Sequence, residues 1–342
     1  MKLEKVALVG SGNWGSAIAK IIGNNVQLYP EFDNEVKMWV YEEFINGQKL
    51  TDIINEKNEN VKYLPGIKLS SNIKAVPDLL ETVRDATILV FVIPHQFVKG
   101  VCNQLKGQIL PHAKAISLIK GFDVNETGIC PMTEVIAKTL NINVSSLSGA
   151  NIANEIAEEN FSETTIGYRV REEGELYKRL FETPYFRVGI IDDVIGVELC
   201  GALKNVVAIA AGIIDGLRLG DNAKAAIIRI GLLEMKKFVQ TFYRGIKEET
   251  FFESCGIADV ITTSYGGRNR RVAEAFVITR KPFEHLEKEL LAGQKLQGTL
   301  TAQEINHVLR RKGLENEYKL FTTVYRIAYQ GLPPERLVKE II

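Results

Sequence analysis

Val6-Ala7-Leu8-Val9-Gly10-Ser11-Gly12-Asn13-Trp14-Gly15 is the stretch that decides the fold. Four apolar residues suit a short buried strand, and the six that follow fit G-x-G-x-x-G. A helical pattern runs on from about Ser16 to Gly23. The glycine pattern alone is common. A strand directly before it and a helix directly after it give it the context of a dinucleotide-binding turn. Gly10 permits the tight turn, Gly12 lets backbone approach a pyrophosphate, and Gly15 lets the helix lie close to the sheet. The N–H groups at the helix start then face the phosphates. The bland alternative is a glycine-rich turn that binds nothing.

Working outward, the first half of the chain repeats the strand-then-helix theme. Val36 to Val40 alternates with period two. Thr87 to Ile93 is an apolar run ended by Pro94, and Ala115 to Ile119 is another, ended by Lys120-Gly121. Val144 to Leu147 precedes Ser148-Gly149-Ala150-Asn151. Thr164 to Val170 and Phe186 to Ile191 read as closing strands. Apolar strands separated by helices predict a mostly parallel sheet covered on both faces. After about Asp192 the pattern becomes helical: Val194–Leu217, Asn222–Tyr243, Arg270–Thr279, Phe283–Leu291 and Ala302–Lys312. Thr301-x-x-Glu304 has the form of a capping box. The expected fold class is α/β, a Rossmann-type sheet domain over 1–192 with a second, all-α domain over 193–342.

Composition narrows the function. The chain has 342 residues, 46% of them apolar, with 42 Lys+Arg against 42 Asp+Glu. That is globular composition, and a neutral balance gives no basic footprint for nucleic acid or an anionic membrane. Val194–Leu217 is apolar enough to raise a membrane span, but Glu198, Lys204 and Asp215 interrupt it, which predicts a buried helix and no span. Cys102, Cys130, Cys200 and Cys255 form no C-x-x-C pair and read as reduced thiols of a cytosolic protein. An apolar strand by Val6 leaves no room for a signal peptide, so the N-x-[ST] matches at Asn125, Asn143 and Asn160 read as chance. No metal-spaced cluster, P-loop or G-x-S-x-G occurs, so no metal is expected.

The acids after the second strand bear on the cofactor. Glu42 or Glu43 can bond ribose hydroxyls and repel a 2′-phosphate, or simply start a solvated helix. Their spacing from the glycines exceeds the usual ~20 residues, which the Leu28–Glu35 segment explains if it is a loop. No Arg follows the strand, so NAD is expected over NADP. Ligands of such sheets sit at strand carboxyl ends. Pro94-His95-Gln96-Phe97, Lys120-Gly121 and Asn151-x-Ala153-Asn154 occupy those places. Of the four histidines, His285 and His307 lie in charged helical stretches and read as surface.

Lys204 is the candidate proton donor. Helical spacing puts Val197, Gly201, Lys204, Ala208, Ala211 and Asp215 on one face, whose small residues leave room for a ligand. Burial disfavours a charged lysine, which suits acid/base work near neutrality. The alternative is a structural ion pair with Glu198 or Asp259. A second cluster, Tyr265-Gly266-Gly267-Arg268-Asn269-Arg270-Arg271, opens a helix. Cations there oppose the macrodipole, which makes sense if an anion, most naturally a phosphate, binds to Arg268 and Asn269. A solvated basic turn is the alternative. Lys120 can add a charge from the sheet side. Gly293-Gln294-Lys295-Leu296-Gln297-Gly298 reads as a lid or as a plain interhelical loop.

Taken in order, the glycine turn, Pro94-His95-Gln96-Phe97, Ile119-Lys120-Gly121, Gly149-Ala150-Asn151, Gly201-Ala202-Leu203-Lys204-Asn205 and Gly266-Gly267-Arg268-Asn269 make the chain resemble cytosolic NAD-dependent glycerol-3-phosphate dehydrogenases over nearly its whole length. That resemblance implies reversible reduction of dihydroxyacetone phosphate with NADH, usually by a homodimer. It implies Lys204 as acid/base, with Lys120, Asn151, Asp259 and Thr263 around the carbonyl and hydroxyl end. Asn205, Arg268 and Asn269 would hold the phosphate. Gly10, Ser11, Gly12, Asn13, Trp14, Gly15, Tyr41, Phe97, Lys120, Ala153, Arg268, Lys295 and Gln297 would contact NAD. The chain departs from the family at Tyr41, where Phe is common, and at Thr299-Leu300-Thr301, where relatives often carry proline. Two other readings are a related reductase of a carboxylate-bearing hydroxy acid and a non-catalytic NAD-sensing protein.

Overall fold

The structure, a computed structural model, describes residues 3–125, 128–291, 293 and 295–342. The strands are β1 (Glu4–Val9), β2 (Phe32–Trp39), β3 (Phe44–Ile45), β4 (Gln48–Lys49), β5 (Ile73–Val76), β6 (Ile88–Phe91), β7 (Lys114–Ser117), β8 (Phe122–Asn125), β9 (Gly128–Pro131), β10 (Asn143–Ser148), β11 (Ser162–Gly167) and β12 (Phe186–Ile191). The helices are α1 (Asn13–Asn25), α2 (Leu50–Lys57), α3 (Leu79–Val83), α4 (Val98–Leu105), α5 (Met132–Leu140), α6 (Ala153–Ala157), α7 (Arg171–Phe181), α8 (Val194–Gly216), α9 (Asp221–Phe242), α10 (Asp259–Gly266), α11 (Arg268–Thr279), α12 (Phe283–Leu291), α13 (Gln297–Lys312), α14 (Lys319–Tyr329) and α15 (Leu337–Ile341). They fall into two compact units: one of residues up to Lys120 with Pro131–Glu198, the other of Gly121–Cys130 with Leu199–Ile342.

The first unit is an eight-stranded sheet in the order β12-β11-β10-β7-β6-β1-β2-β5. All neighbours are parallel except β10 and β11. Period-two alternation divides its core. Val6, Leu8, Ile88 and Val90 face α1, α2 and α7 on one side. Ala7, Val9, Leu89 and Phe91 face α3, α4 and α5 on the other. Strand order reverses between β1 and β6, so their carboxyl ends form the crevice where such sheets hold ligands. The expected Rossmann-type sheet is present. The segment expected to be a Leu28–Glu35 loop is already strand from Phe32. Glu4 pairs with Phe32 and Val6 with Val36, so the extra residues form a bulge in β2.

Among the described residues the second unit is helical apart from the strand pair β8–β9. Its centre is α8, long and apolar enough to cross a membrane, whose most apolar stretch lies wholly inside the protein. The small residues of α8 do not leave a void along its length, as the sequence suggested. Ala208 and Ala211 are fully buried. A Cβ on Gly212 would lie 2.2 Å from the Arg270 carbonyl of α11, and one on Gly216 would lie 2.6 Å from Val277. Small side chains there let helices approach closely, the ordinary result of efficient packing. Asp215 at the end of that face binds Lys224 at 2.8 Å and Arg270 at 2.6 Å. A second correction concerns α13, which starts at Gln297, so Thr301 and Glu304 lie inside it and form no capping box. The first-turn N–H groups are satisfied from elsewhere: Leu296 N–H by the Glu287 carboxylate at 3.0 Å, Gly298 N–H by Asn269 Oδ1 at 2.8 Å.

Candidate active site

In the first unit the glycine turn lies where β1 and β6 end side by side. Gly10 has φ +123°, and a Cβ there would sit 2.4 Å from the Val92 carbonyl. Only glycine fits. A Cβ on Gly15 would sit 2.6 Å from the Gly10 carbonyl. A Cβ on Gly12 would meet nothing within 4 Å, so the space above that backbone is open. Gly12 is the N-cap of α1, and the first turn carries no acidic residue. Those N–H groups therefore face open space without a competing carboxylate, as a phosphate site requires.

A cavity of about 780 Å³ adjoins the turn. Gly10, Ser11 and Gly12 line it at one end, and Trp39, Tyr41, Tyr63 and Phe97 supply aromatic wall. Tyr41 and Phe97 are 73% and 57% exposed, so their rings are open to a flat ligand. These features fit a dinucleotide: a phosphate cradle leading to an aromatic slot. Asn13 turns its amide to the Tyr63 carbonyl at 2.7 Å and Asn154 Oδ1 at 2.8 Å. Trp14 meets Phe186 edge-on at 6.4 Å. Those two side chains brace the turn rather than line the cavity. Ala153 begins α6, beside Asn154.

Neither acid after β2 starts a helix there. Glu42 accepts the Thr51 hydroxyl at 2.7 Å and the Thr51 N–H at 3.3 Å, which caps α2. Glu43 lines the cavity, accepts the Tyr63 hydroxyl at 2.7 Å and pairs with Lys62. Trp39, Tyr63 and Gln104 also line the cavity, unmarked by any sequence motif. Trp39 ends β2 on the face opposite Val36 and Met38, next to the crevice, which was a usable signal. Tyr63 lies in a loop with no periodicity to betray it.

Two further predicted residues of this unit have internal partners. Lys120 Nζ donates to the Gly149 carbonyl at 3.2 Å. Asn151 accepts the Thr164 hydroxyl at 3.0 Å and donates to the Glu163 carbonyl at 2.9 Å. His95 follows β6 in a short turn and is half-buried, while His285 and His307 are exposed as expected.

In the second unit Lys204 is 5% exposed. Its ammonium pairs with Asp259 and donates to Thr263 Oγ1 at 2.6 Å. Thr263 in turn donates to Asp259 at 3.3 Å. Asp259 and Thr263 are one turn apart on α10, just after a π-helical turn at Ser254–Ala258, a distortion often found at functional sites. Of the two ion-pair partners considered for Lys204, Asp259 is the one observed. Glu198 binds the start of α5 instead.

Beside this cluster Asn269 donates to Asn205 Oδ1 at 2.9 Å, and both are buried. Arg268 opens α11 and is exposed. Arg270 pairs with Asp215 and Glu274. Lys295 bonds Glu287 at 3.0 Å, and Gln297 is the first residue of α13. Gln294 of the lid motif lies outside the described residues. The second unit thus brings together Lys204, Asp259 and Thr263 in one group and Asn205 and Asn269 in another. Among the described residues no group of His, Cys, Asp and Glu could hold a metal, and all four cysteines are free thiols.

A switch-point nucleotide crevice and a buried lysine–carboxylate pair define the class, a nicotinamide-dependent oxidoreductase. Comparison makes it specific. Residues 5–173 match the NAD-dependent glycerol-3-phosphate dehydrogenase N-terminus and 193–339 the C-terminus of the same family. The chain belongs to the NAD-dependent glycerol-3-phosphate dehydrogenases. It is 57% identical over 334 residues to cytoplasmic glycerol-3-phosphate dehydrogenase [NAD(+)] of Drosophila ezoana, covering 97% of this chain and 95% of that one. Against the Drosophila melanogaster enzyme the identity is 58%, over 97% and 92% of the two chains. The glycerol-3-phosphate dehydrogenase structure from Saccharomyces cerevisiae superposes with a TM-score of 0.95 at 47% identity, over 99% of each chain.

Proposed function

We propose that Lys204 is the general acid/base of an NAD-dependent dehydrogenase that interconverts dihydroxyacetone phosphate and glycerol 3-phosphate in the cytoplasm. The observation that carries this is the buried Lys204–Asp259–Thr263 group next to the Asn205–Asn269 pair. A charge this deeply buried without a use is a poor stabiliser, since desolvation offsets much of the attraction.

Gly10, Ser11, Gly12 and the start of α1 would hold the pyrophosphate of NAD, with Tyr41 and Phe97 beside its flat end and Ala153, Arg268, Lys295 and Gln297 as further contacts. When bound, NADH supplies the hydride for C2 of the substrate. Lys204 stabilises the negative charge that develops on the C2 oxygen and gives it a proton. Asp259 balances the ammonium charge and Thr263 fixes its direction. Lys120 and Asn151 contact the same end of the substrate in this reading. Asn205, Asn269 and Arg268 take the phosphate, and that remote grip orients the reacting carbon. The sheet residues up to about 192 form the cofactor domain and the rest the substrate domain, and the working state is a homodimer.

The test is steady-state kinetics on the purified protein. Lys204→Ala should lower kcat by roughly 10²–10⁴-fold while NADH binding is retained. Unchanged kcat refutes the role. Dihydroxyacetone phosphate should far exceed unphosphorylated dihydroxyacetone in kcat/KM, and equal values would refute the phosphate assignment.

A further inference from the structure

Glu198 is a buried titratable residue that the mechanism above leaves unused. It stands on α8 and is 3% exposed. Its Oε1 accepts the Met132 N–H at 2.5 Å and the Thr133 N–H at 3.3 Å. Its Oε2 accepts the Thr133 N–H at 3.2 Å and the Thr133 hydroxyl at 2.5 Å. Met132 and Thr133 are the first residues of α5, whose own N-cap, Pro131, offers no side-chain cap. The carboxylate therefore serves as the missing cap from another helix, and the α5 dipole favours its charge.

The same stretch of α8 is anchored once more: the Val194 carbonyl accepts the Ser146 hydroxyl of β10 at 2.8 Å. Gly196 donates to Asp193 at 2.8 Å, which caps the start of α8 itself. Lys204 lies further along the same helix. At 1.5 Å of rise per residue it is about 9 Å from Glu198, well within one rigid rod. A helix pinned at Glu198 carries Lys204 with it.

We propose that Glu198 is a positioning residue for the reaction: its hydrogen bonds to the first turn of α5 fix the place of α8, and thereby of Lys204. This rests on the reading of Lys204 as the acid/base. The chemistry of the bond set gives the proposal a signature. All four contacts need an acceptor. If the carboxyl takes a proton, only the Thr133 hydroxyl among these partners can accept it, and the N–H bonds weaken. Burial pushes Glu198 up to about 7, against the lowering effect of the Thr133 and Met132 bonds. Glu134 of α5 adds to the rise and is itself paired with Lys138 at 3.1 Å. Turnover should therefore fall on the acid side of neutrality as α8 loosens.

The experiment measures kcat, KM for dihydroxyacetone phosphate and NADH affinity from pH 5.5 to 8.5 for the full chain and three variants. Glu198→Gln should lower kcat at pH 8 by ~10- to 100-fold, the scale of a misplacement near 1 Å. KM and NADH affinity should stay within about threefold of wild type, because a displaced proton donor affects the transition state more than binding. The acid limb near neutrality should vanish. Thr133→Val, which removes only the hydroxyl bond, should move that limb to higher pH. A Glu198→Gln enzyme with wild-type kcat and an intact acid limb overturns the proposal. If that variant does not fold, Thr133→Val decides, and an unmoved limb overturns it. Lys204→Ala separates the two readings. Full activity there overturns the role of Lys204 itself, whereas an inactive Lys204→Ala beside an unaffected Glu198→Gln removes only the role of Glu198.

Discussion

Asn269 accepts the backbone N–H of Gly298 through Oδ1 at 2.8 Å while its amide nitrogen donates to Asn205 at 2.9 Å. One side chain thus caps α13 and fixes a neighbour proposed to touch phosphate. Gly298 is held tightly in return: a Cβ there would lie 2.5 Å from the Asn205 carbonyl and 2.5 Å from Ile209. Gly298→Ala must therefore displace backbone. The expected cost is ~1–3 kcal/mol of stability, as for overpacking elsewhere. Because the displaced atoms belong to Asn205 and Asn269, affinity for inorganic phosphate as a competitive inhibitor should fall as well. A lower thermal midpoint with unchanged phosphate inhibition would show that the cap and the anion site are independent.

The glycine turn gives a sharper pair. Gly10→Ala meets both a strained φ and a carbonyl at 2.4 Å, so it should reduce stability as well as NADH binding. Gly12→Ala meets nothing in the protein, and its φ of −63° suits any residue. It should leave the thermal midpoint close to wild type and weaken NADH by about tenfold or more, since the only thing its methyl can obstruct is the ligand. Thermal unfolding and NADH fluorescence titration of both variants check this. Wild-type NADH affinity in Gly12→Ala would mean the pyrophosphate lies elsewhere.

How much of this was legible in the sequence depends on whether a signal is local. β1, β6 and the glycine turn were readable because four apolar residues beside a patterned turn are a local code. The central helix α8 was readable for the same reason. Ile73-Lys74-Ala75-Val76 was not read as a strand, because four residues with a lysine among them carry little alternation, and pairing with β2 decides the matter. Thr301 and Glu304 imitated a capping box, but the first turn of α13 takes its caps from Asn269 and Glu287, which are near only after folding. The same holds at the site. Lys204 stood out on its helix, and Asp259 was one of two carboxylates open to pairing with it, but the tie crosses a sequence gap that no periodicity spans, and Thr263 came from family resemblance alone.

Arg268 is exposed at the first position of α11, where a cation opposes the helix dipole. Arg268→Ala should thus leave stability within ~0.5 kcal/mol of wild type. Its effect should appear in the substrate. A charge-assisted bond to phosphate contributes ~1.5–3 kcal/mol, so the preference for dihydroxyacetone phosphate over dihydroxyacetone should shrink by ~10- to 100-fold. An equal loss with both substrates would assign Arg268 to the cofactor instead.

Two carboxyls make stability depend on pH in an unusual direction. Burial pushes Glu198 up to about 7, and burial together with Asp123 pushes Glu304 up to about 7, from an ordinary 4.5. A raised carboxyl binds its proton more tightly in the folded chain than in the unfolded one. Its contribution is fully present below about 4.5 and is lost as pH rises through about 7. Between those values these two groups make the protein less stable as pH increases, by an amount on the order of 3 kcal/mol for fully buried Glu198. Glu198→Gln and Glu304→Gln should each flatten the thermal midpoint between pH 5 and 8, which calorimetry at several pH values can read. If Glu198 also positions α8, turnover and stability must run in opposite senses across the same window, activity rising with pH while the midpoint falls. Partial unfolding at low pH would lower both together, so a parallel decline of activity and midpoint on acidification would exclude Glu198 as their common origin.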